Sequence, residues 1–359
     1  MNIIHIVGNR PQFIKLSLLH GALSGHTRVR SRIIHTGQHF SENMSDVFFR
    51  ECGLPDPHHQ LGIHSLSHNE MIGRMLIALD SALAVERPDA VVVYGDTNTT
   101  LAASLAAKKR QVRLFHVEAG VRTGDESMPE EVNRYLSDRM ADLNFTCTAL
   151  CSNNLVGEGM PAARILDTGD LLLDASLRFA DKARTLSTLP AALIPGGRPF
   201  ILATIHRAAN TGDPSALAAI LQALHELHEE YPVVFPVHPH TRAVIEANGL
   251  PFRLIDTPPL GYLDMLALIQ ASNYVITDSG GLSREAFFFS KPSVVVMDRP
   301  FWPEILATGA SLAAPADSKT IIRCFRALSS SGKRFHREVF GDGGAAQKIA
   351  GAILNHLHA

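Results

Sequence analysis

Three carboxylates in the first half of the chain occupy positions where acid–base chemistry could use them. Asp96 stands in Tyr94-Gly95-Asp96-Thr97, Glu118 in His116-Val117-Glu118-Ala119-Gly120, and Glu130 in Met128-Pro129-Glu130-Glu131. Taken singly, two of them have plain readings. Asp96 could cap a helix, and Glu130 or Glu131 could complement the dipole of a first helical turn. Glu118 is harder to dismiss, because a carboxylate after an apolar strand is costly unless paired or used. Gathered in one domain, such acids push their pKa values apart, and one site can then hold both a proton donor and a proton acceptor. Glu131 and Arg134, in the same helix-opening segment, are further candidates for that site.

A second set of residues suits an anion. Gly8-Asn9-Arg10-Pro11 permits a tight turn into a helix whose open N–H groups attract negative charge, and Arg10 and Lys15 add fixed positive charge. In the second half, Thr277-Asp278-Ser279-Gly280-Gly281 ends a strand and starts a helix. Ser279, Gly280 and Gly281 could there cradle a diphosphate without a lysine, and Glu285, one helical turn on, could reach a ribose hydroxyl pair. His206-Arg207 closes another strand and is a candidate phosphate contact. His238 closes the next, as a ligand contact or as a satisfied polar residue. These turns match neither a Walker loop nor Gly-x-Gly-x-x-Gly, which argues against ATP and NAD.

The elements that must hold these turns alternate between strand and helix. Residues 3–7, 32–35, 90–94 and 112–116 predict strands, and 11–23, 67–85 and 99–108 predict helices. The pattern weakens over 171–198, around Pro190, Pro195, Gly196 and Gly197, which predicts an interdomain linker. It restarts with strands over 199–204, 233–237, 274–277 and 293–297, and helices over 214–230, 261–270 and 281–289. Such alternation calls for an α/β fold with parallel sheets covered on both faces. Its repetition predicts two Rossmann-like, doubly wound domains facing across a cleft, with ligands at the carboxyl ends of the strands. The expected bounds are 1–175 for the domain with the acids and 190–340 for the nucleotide-binding domain. A helix over 341–359 is expected to pack back on the first.

A chain of 359 residues, 46% hydrophobic, can fill two such cores. Lys+Arg 33 nearly balance Asp+Glu 35, so no broad basic face invites nucleic acid or an anionic membrane. No apolar run reaches the roughly 18 residues of a membrane span, and Gly8, Asn9 and Arg10 break the first apolar run too soon for a secretory signal. The four cysteines are scattered without zinc-site spacing, which predicts free thiols in a reducing cytoplasm.

Taken in order, several motifs resemble one family: GNRPQFIK (8–15), YGDTNTT (94–100), HVEAGVRTGD (116–125), MPEEVNR (128–134), TIHR (204–207), PVHP (236–239) and TDSGGLSREA (277–286). They are similar to those of the bacterial UDP-N-acetylglucosamine 2-epimerases of the non-hydrolysing kind, and the resemblance runs over essentially the full length. It implies the two-domain GT-B fold and inversion at C2 of UDP-N-acetylglucosamine to give UDP-N-acetylmannosamine, by loss and re-addition of UDP through a glycal. It implies acid–base roles for Asp96, Glu118 and Glu130, and a diphosphate-side role in catalysis for His206. Arg10, Lys15, Ser279, Gly280, Gly281 and Glu285 would bind UDP, with Arg207 beside His206. The implied partner is a small UDP-sugar, the implied assembly a homodimer, and neither cofactor nor metal is required.

The chain departs from the family pattern mainly on the nucleotide side. Ala209 and Phe301 stand where a Glu is usual, Met297 where an Arg is usual, and Ser283-Arg284 where Gln and Glu are usual. His240 replaces a common Asn and Asn9 a common Thr. Other outcomes therefore stay open: an epimerase that releases UDP and free N-acetylmannosamine, an epimerase of a 2,3-diacetamido UDP-sugar, a glycosyltransferase of the same fold, and a non-catalytic UDP-sugar binder.

Overall fold

Ile3, Ile4, Ile6 and Val7 are all fully buried, so the strand they form is covered on both faces, as strands in a parallel sheet are. The computed structural model describes residues 1–39, 46–329 and 335–358. It divides into two compact units, Met1–Ala175 with Glu338–Ala359, and Ser176–Arg337.

Among the described residues the first unit holds seven strands: β1 (Asn2–Val7), β2 (Arg30–His35), β3 (His59–Gln60), β4 (Ala90–Tyr94), β5 (Arg113–Ala119), β6 (Leu143–Thr146) and β7 (Ile165–Asp167). All pair in parallel, in the order β3-β2-β1-β4-β5-β6-β7. The described residues of the second unit hold six: β8 (Ile201–Thr204), β9 (Val233–Pro236), β10 (Ile255–Thr257), β11 (Tyr274–Thr277), β12 (Ser293–Val296) and β13 (Ser311–Ala314). These are parallel too, in the order β10-β9-β8-β11-β12-β13. Winding outward from the middle in both directions leaves one switch point per sheet, between β1 and β4 and between β8 and β11, and such points are where doubly wound sheets bind ligands.

The helices are set by caps and by apolar spacing. Ser67 accepts a hydrogen bond from the N–H of Glu70 and starts helix His68–Glu86. Thr97 and Thr100 form a reciprocal capping box at helix Asn98–Lys109, whose Ala102, Ala103, Ala106 and Ala107 allow close packing in the core. The stretch expected as a linker contains the division between the units, after Ala175, and is largely helical, as Leu171–Leu186 and Leu189–Leu193. Leu171, Ala175, Phe179 and Ala183 are buried at a spacing of four, the signature of a helix face. The Pro and Gly residues that suggested a linker fall later: Pro190 in the first turn of the short helix, and Gly196 and Gly197, both at positive φ, after it.

The C-terminal helix Ala345–His358 belongs to the first unit and packs its Ala345, Ala346, Ile349, Ala350 and Ile353 face there, against helix Arg10–Ser24 among others. The N–H of Ala346 donates to Asp174 at 2.8 Å. All four cysteines are free thiols, and among the described residues no helix is long and apolar enough to cross a membrane.

Candidate active site

At the switch point of the first sheet, the Gln12 side chain ties two strand ends together. Its carbonyl accepts from the N–H of Gly8 at 2.7 Å, and its amide donates to the carbonyl of Tyr94 at 2.7 Å. One helical turn on, the Lys15 ammonium reaches Glu118 at 2.5 Å, with the two side chains 3% and 13% exposed. A pair this buried stands or falls together, since removing one partner strands the other charge. Glu118 has φ +68°, the left-handed region that a non-glycine residue enters at a cost of order 1–3 kcal/mol. The pairing of β5 with β6 shifts register there, between Val117 and Ala119. That irregularity aims the carboxylate along the end of the sheet, over Gly95.

Asp96 follows β4 and is held by the guanidinium of Arg134, while Asn133 donates to its carbonyl at 2.9 Å. Arg134 also bonds Glu131 at 2.6 Å. Burial works against the charge of Arg134, but Asp96 and Glu131 outweigh it and raise its pKa. Glu131 is fully buried and accepts from the N–H groups of Thr123 at 2.9 Å and Gly124 at 3.0 Å. Its role is therefore positional: it fixes Arg134, which fixes Asp96. Glu130, the neighbouring acid, is half-buried in the first turn of helix Pro129–Met140. Beneath them, His116 bonds Asp138 at 2.7 Å and the Gly95 carbonyl at 2.7 Å, and Arg122 reaches Asp138 at 2.7 Å. Burial alone would raise the pKa of Asp138, but His116 and Arg122 bring it below the usual range.

Arg10 opens helix Arg10–Ser24 and lies over the Phe48 ring, 5.4 Å from its centre, where burial lowers its pKa. Among the described residues one group offers metal-ligand atoms close together: Glu118, Cys147 and Asp170, within 4.8 Å of one another. The Lys15 ammonium already neutralises Glu118, which disfavours a further cation there.

At the switch point of the second sheet, Asp278 is fully buried after β11 and organises the turn after β8. Its carboxylate accepts from the N–H groups of His206 at 3.0 Å and Arg207 at 2.9 Å and from the Asn210 amide at 3.0 Å. The His206 ring nitrogen lies 3.3 Å from the same carboxylate, and the ring itself is partly exposed. The His238 ring centre is 6.1 Å from that of His206, and its Nδ1 accepts from the His240 N–H at 3.2 Å, capping helix Pro239–Ala247. Ser279, expected in the phosphate cradle, accepts a hydrogen bond from the Leu282 N–H on its hydroxyl oxygen at 3.3 Å as the cap of helix Gly280–Phe288. The backbone N–H groups of Gly280 and Gly281, in the first turn of this helix, have no acceptor within the helix. Glu285 lies in this helix with 7% of its surface exposed.

The two sheets thus gather the candidates into two groups, Lys15–Glu118 with Asp96–Arg134–Glu131 in one unit and His206–Arg207 with Ser279–Gly280–Gly281 in the other. Asp278 was not legible as the residue that anchors the second group. Its signal is a carboxylate one residue past a strand, beside a turn rich in N–H donors. Gln12 and Cys147 carried no comparable signal, because their partners are remote in sequence.

Two doubly wound parallel sheets, each with its polar cluster at the switch point, make this a GT-B-like protein. The chain belongs to the UDP-N-acetylglucosamine 2-epimerase family, an enzyme family of isomerases, whose sequence profile matches residues 21–354. It is 43% identical over 98% of both chains to the UDP-2,3-diacetamido-2,3-dideoxy-D-glucuronate 2-epimerase of Pseudomonas aeruginosa. It is 35% identical to the UDP-N-acetylglucosamine 2-epimerase of Methanocaldococcus jannaschii, over 97% of this chain and 98% of that one. A crystal structure of the Methanocaldococcus jannaschii enzyme in complex with UDP-GlcNAc and UDP superimposes with a TM-score of 0.92, at 34% identity over 99% of this chain and 100% of that one.

Proposed function

We propose that this chain inverts C2 of a UDP-linked 2-acetamido sugar by loss and re-addition of UDP. The observation that carries the reading is the placement of Asp96 and Glu118 at the ends of the adjacent strands β4 and β5, each held by its own buried cation. One carboxylate takes the C2 proton while the C1–O bond breaks and its electron pair leaves with UDP, giving a C1=C2 glycal. UDP oxygen then re-adds to C1 as a proton is delivered to C2 from the opposite face. A C2 proton is poorly acidic until the C1–O bond weakens, so base and leaving-group stabilisation act together. The leaving diphosphate is received by His206, Arg207 and the N–H groups of Gly280 and Gly281, with Glu285 on the ribose. Glu130 is the third acid–base group, and Arg10 supports the nucleotide.

The substrate we favour is UDP-2,3-diacetamido-2,3-dideoxy-D-glucuronate, on the 43% identity to the Pseudomonas aeruginosa enzyme. UDP-N-acetylglucosamine is the second reading, favoured by the 0.92 TM-score to the archaeal enzyme bound to it. Both are tested by incubation with the purified protein in deuterium oxide, with the C2 proton and free UDP followed by NMR. The expected result is deuterium at C2 and the epimer at C2, faster with the diacetamido sugar. Release of UDP in step with free sugar would mean hydrolysis, and no label in either sugar would overturn the reading. Asp96→Asn and Glu118→Gln are each expected to lose about 100-fold or more in turnover. We also infer a homodimer, supported by Ile77 and Val85 exposed on helix His68–Glu86, and a monomer mass in sedimentation would refute it.

A further inference from the structure

The segment Pro300–Pro303 sets two aromatic rings under two arginines beside the second unit's cradle. The guanidinium of Arg207 lies over the Phe301 ring, 4.4 Å from its centre, and that of Arg284 over the Trp302 ring at 4.0 Å. Phe301 and Trp302 are 8% and 3% exposed, so neither ring is an incidental surface neighbour. Both stacks meet at Gly280. A Cβ on Gly280 would fall 2.8 Å from Phe301 Cδ2, and Arg284 Nε donates to the Gly280 carbonyl at 3.3 Å. The glycine that opens the helix is thus also the floor on which Phe301 rests, and Phe301 is the floor on which Arg207 rests. A ring face attracts a guanidinium through its quadrupole and so fixes where that cation sits.

We propose that Phe301 is a positioning residue: it seats Arg207 over Gly280 so that this cation faces a nucleoside diphosphate, with the Trp302–Arg284 stack holding Gly280 from the other side. This inference rests on the proposed function in taking UDP as the ligand of the second unit. It makes the aromatic pair a determinant of diphosphate affinity rather than of the proton transfer.

Calorimetric titration of UDP and UMP into the full-length protein and into Phe301→Leu, Phe301→Tyr, Arg207→Met and the Phe301→Leu/Arg207→Met double variant tests it. Phe301→Leu is expected to weaken UDP about 3- to 10-fold, to weaken UMP less, and to raise KM more than it lowers kcat. Phe301→Tyr, which keeps the ring, is expected to stay within about 2-fold of wild type. In the Arg207→Met background Phe301→Leu is expected to add little, because its effect passes through the arginine. Equal additive losses for UDP and UMP in both backgrounds, or no loss at all, would overturn the proposal. Failure of the wild-type protein to bind UDP would instead overturn the functional reading beneath it.

Discussion

Replacing Asp278 by Asn isolates what one buried charge does for the turn that carries His206 and Arg207. Three donors converge on a single carboxylate oxygen: the N–H groups of His206 at 3.0 Å and Arg207 at 2.9 Å, and the Asn210 amide at 3.0 Å. Hydrogen bonds to a charged group contribute about 1.5–3 kcal/mol each and those to a neutral one about 0.5–1.5 kcal/mol. An Asn can place its carbonyl where that oxygen stands, so the three bonds survive but each weakens by about 1 kcal/mol. The expected destabilisation of the second unit is therefore about 3 kcal/mol, and with a urea slope of about 2 kcal/mol per molar the midpoint falls by about 1.5 M. Trp302 is the chain's one tryptophan and is 3% exposed within this unit, so its fluorescence follows the transition directly. UDP affinity is expected to fall about 10-fold or more, because the His206–Arg207 turn loses its anchor. A midpoint within about 0.3 M of wild type, with UDP affinity unchanged, would refute the assignment of Asp278 as organiser of the turn.

Two other perturbations probe the first unit. His5 is fully buried between Tyr94 at 2.7 Å and Ser31 at 3.0 Å, and burial, helped by the nearby charge of His20, lowers its pKa to about 3. The unfolded chain therefore takes up this proton first, so the contribution to stability is complete above about pH 6.5 and is lost as pH falls toward 3, at about 1.4 kcal/mol per pH unit. Amide hydrogen exchange along β1 is expected to show about 2 kcal/mol less protection at pH 5 than at pH 7 in wild type, with that share of the slope absent in His5→Gln; identical pH profiles for the two proteins would contradict it. Gly120 has φ +78° and a Cβ there would lie 2.2 Å from the Cys151 carbonyl oxygen, so Gly120→Ala is expected to cost about 3 kcal/mol or more and about 10 °C in thermal midpoint. A scan unchanged within about 2 °C would show that this backbone yields more easily than its geometry implies.

Much of the scaffold was readable because it rests on local rules. Runs such as Val91-Val92-Val93 can only be strands buried on both faces, and the carboxyl ends of those strands are where polar turns must collect. What escaped reading depends on contacts between residues far apart in sequence. Lys15 meets Glu118 across 103 positions, and no local pattern states that a glutamate will sit in the left-handed region beside it. Ser279 has the residue type of a phosphate contact and of a helix cap alike, and as a cap that accepts from the Leu282 N–H it still has a hydroxyl hydrogen to donate. The division between the units, after Ala175, falls within the stretch expected to join them, but Pro190, Gly196 and Gly197 obscured the helical spacing of Leu171, Ala175, Phe179 and Ala183 just before them.

The return of helix Ala345–His358 to the first unit has a bearing on how the protein is made. Its Ala346 N–H donates to one oxygen of Asp174, and the His356 ring meets Phe115 of β5 edge to face, so the strands of the first unit wait for this helix to emerge from the ribosome. Residues 176–337 hold their whole sheet within one uninterrupted stretch and can finish folding while that wait continues. The unit with the carboxylates is thus completed after the other, and a nascent chain stalled before residue 345 would carry a finished second unit and an unfinished first one.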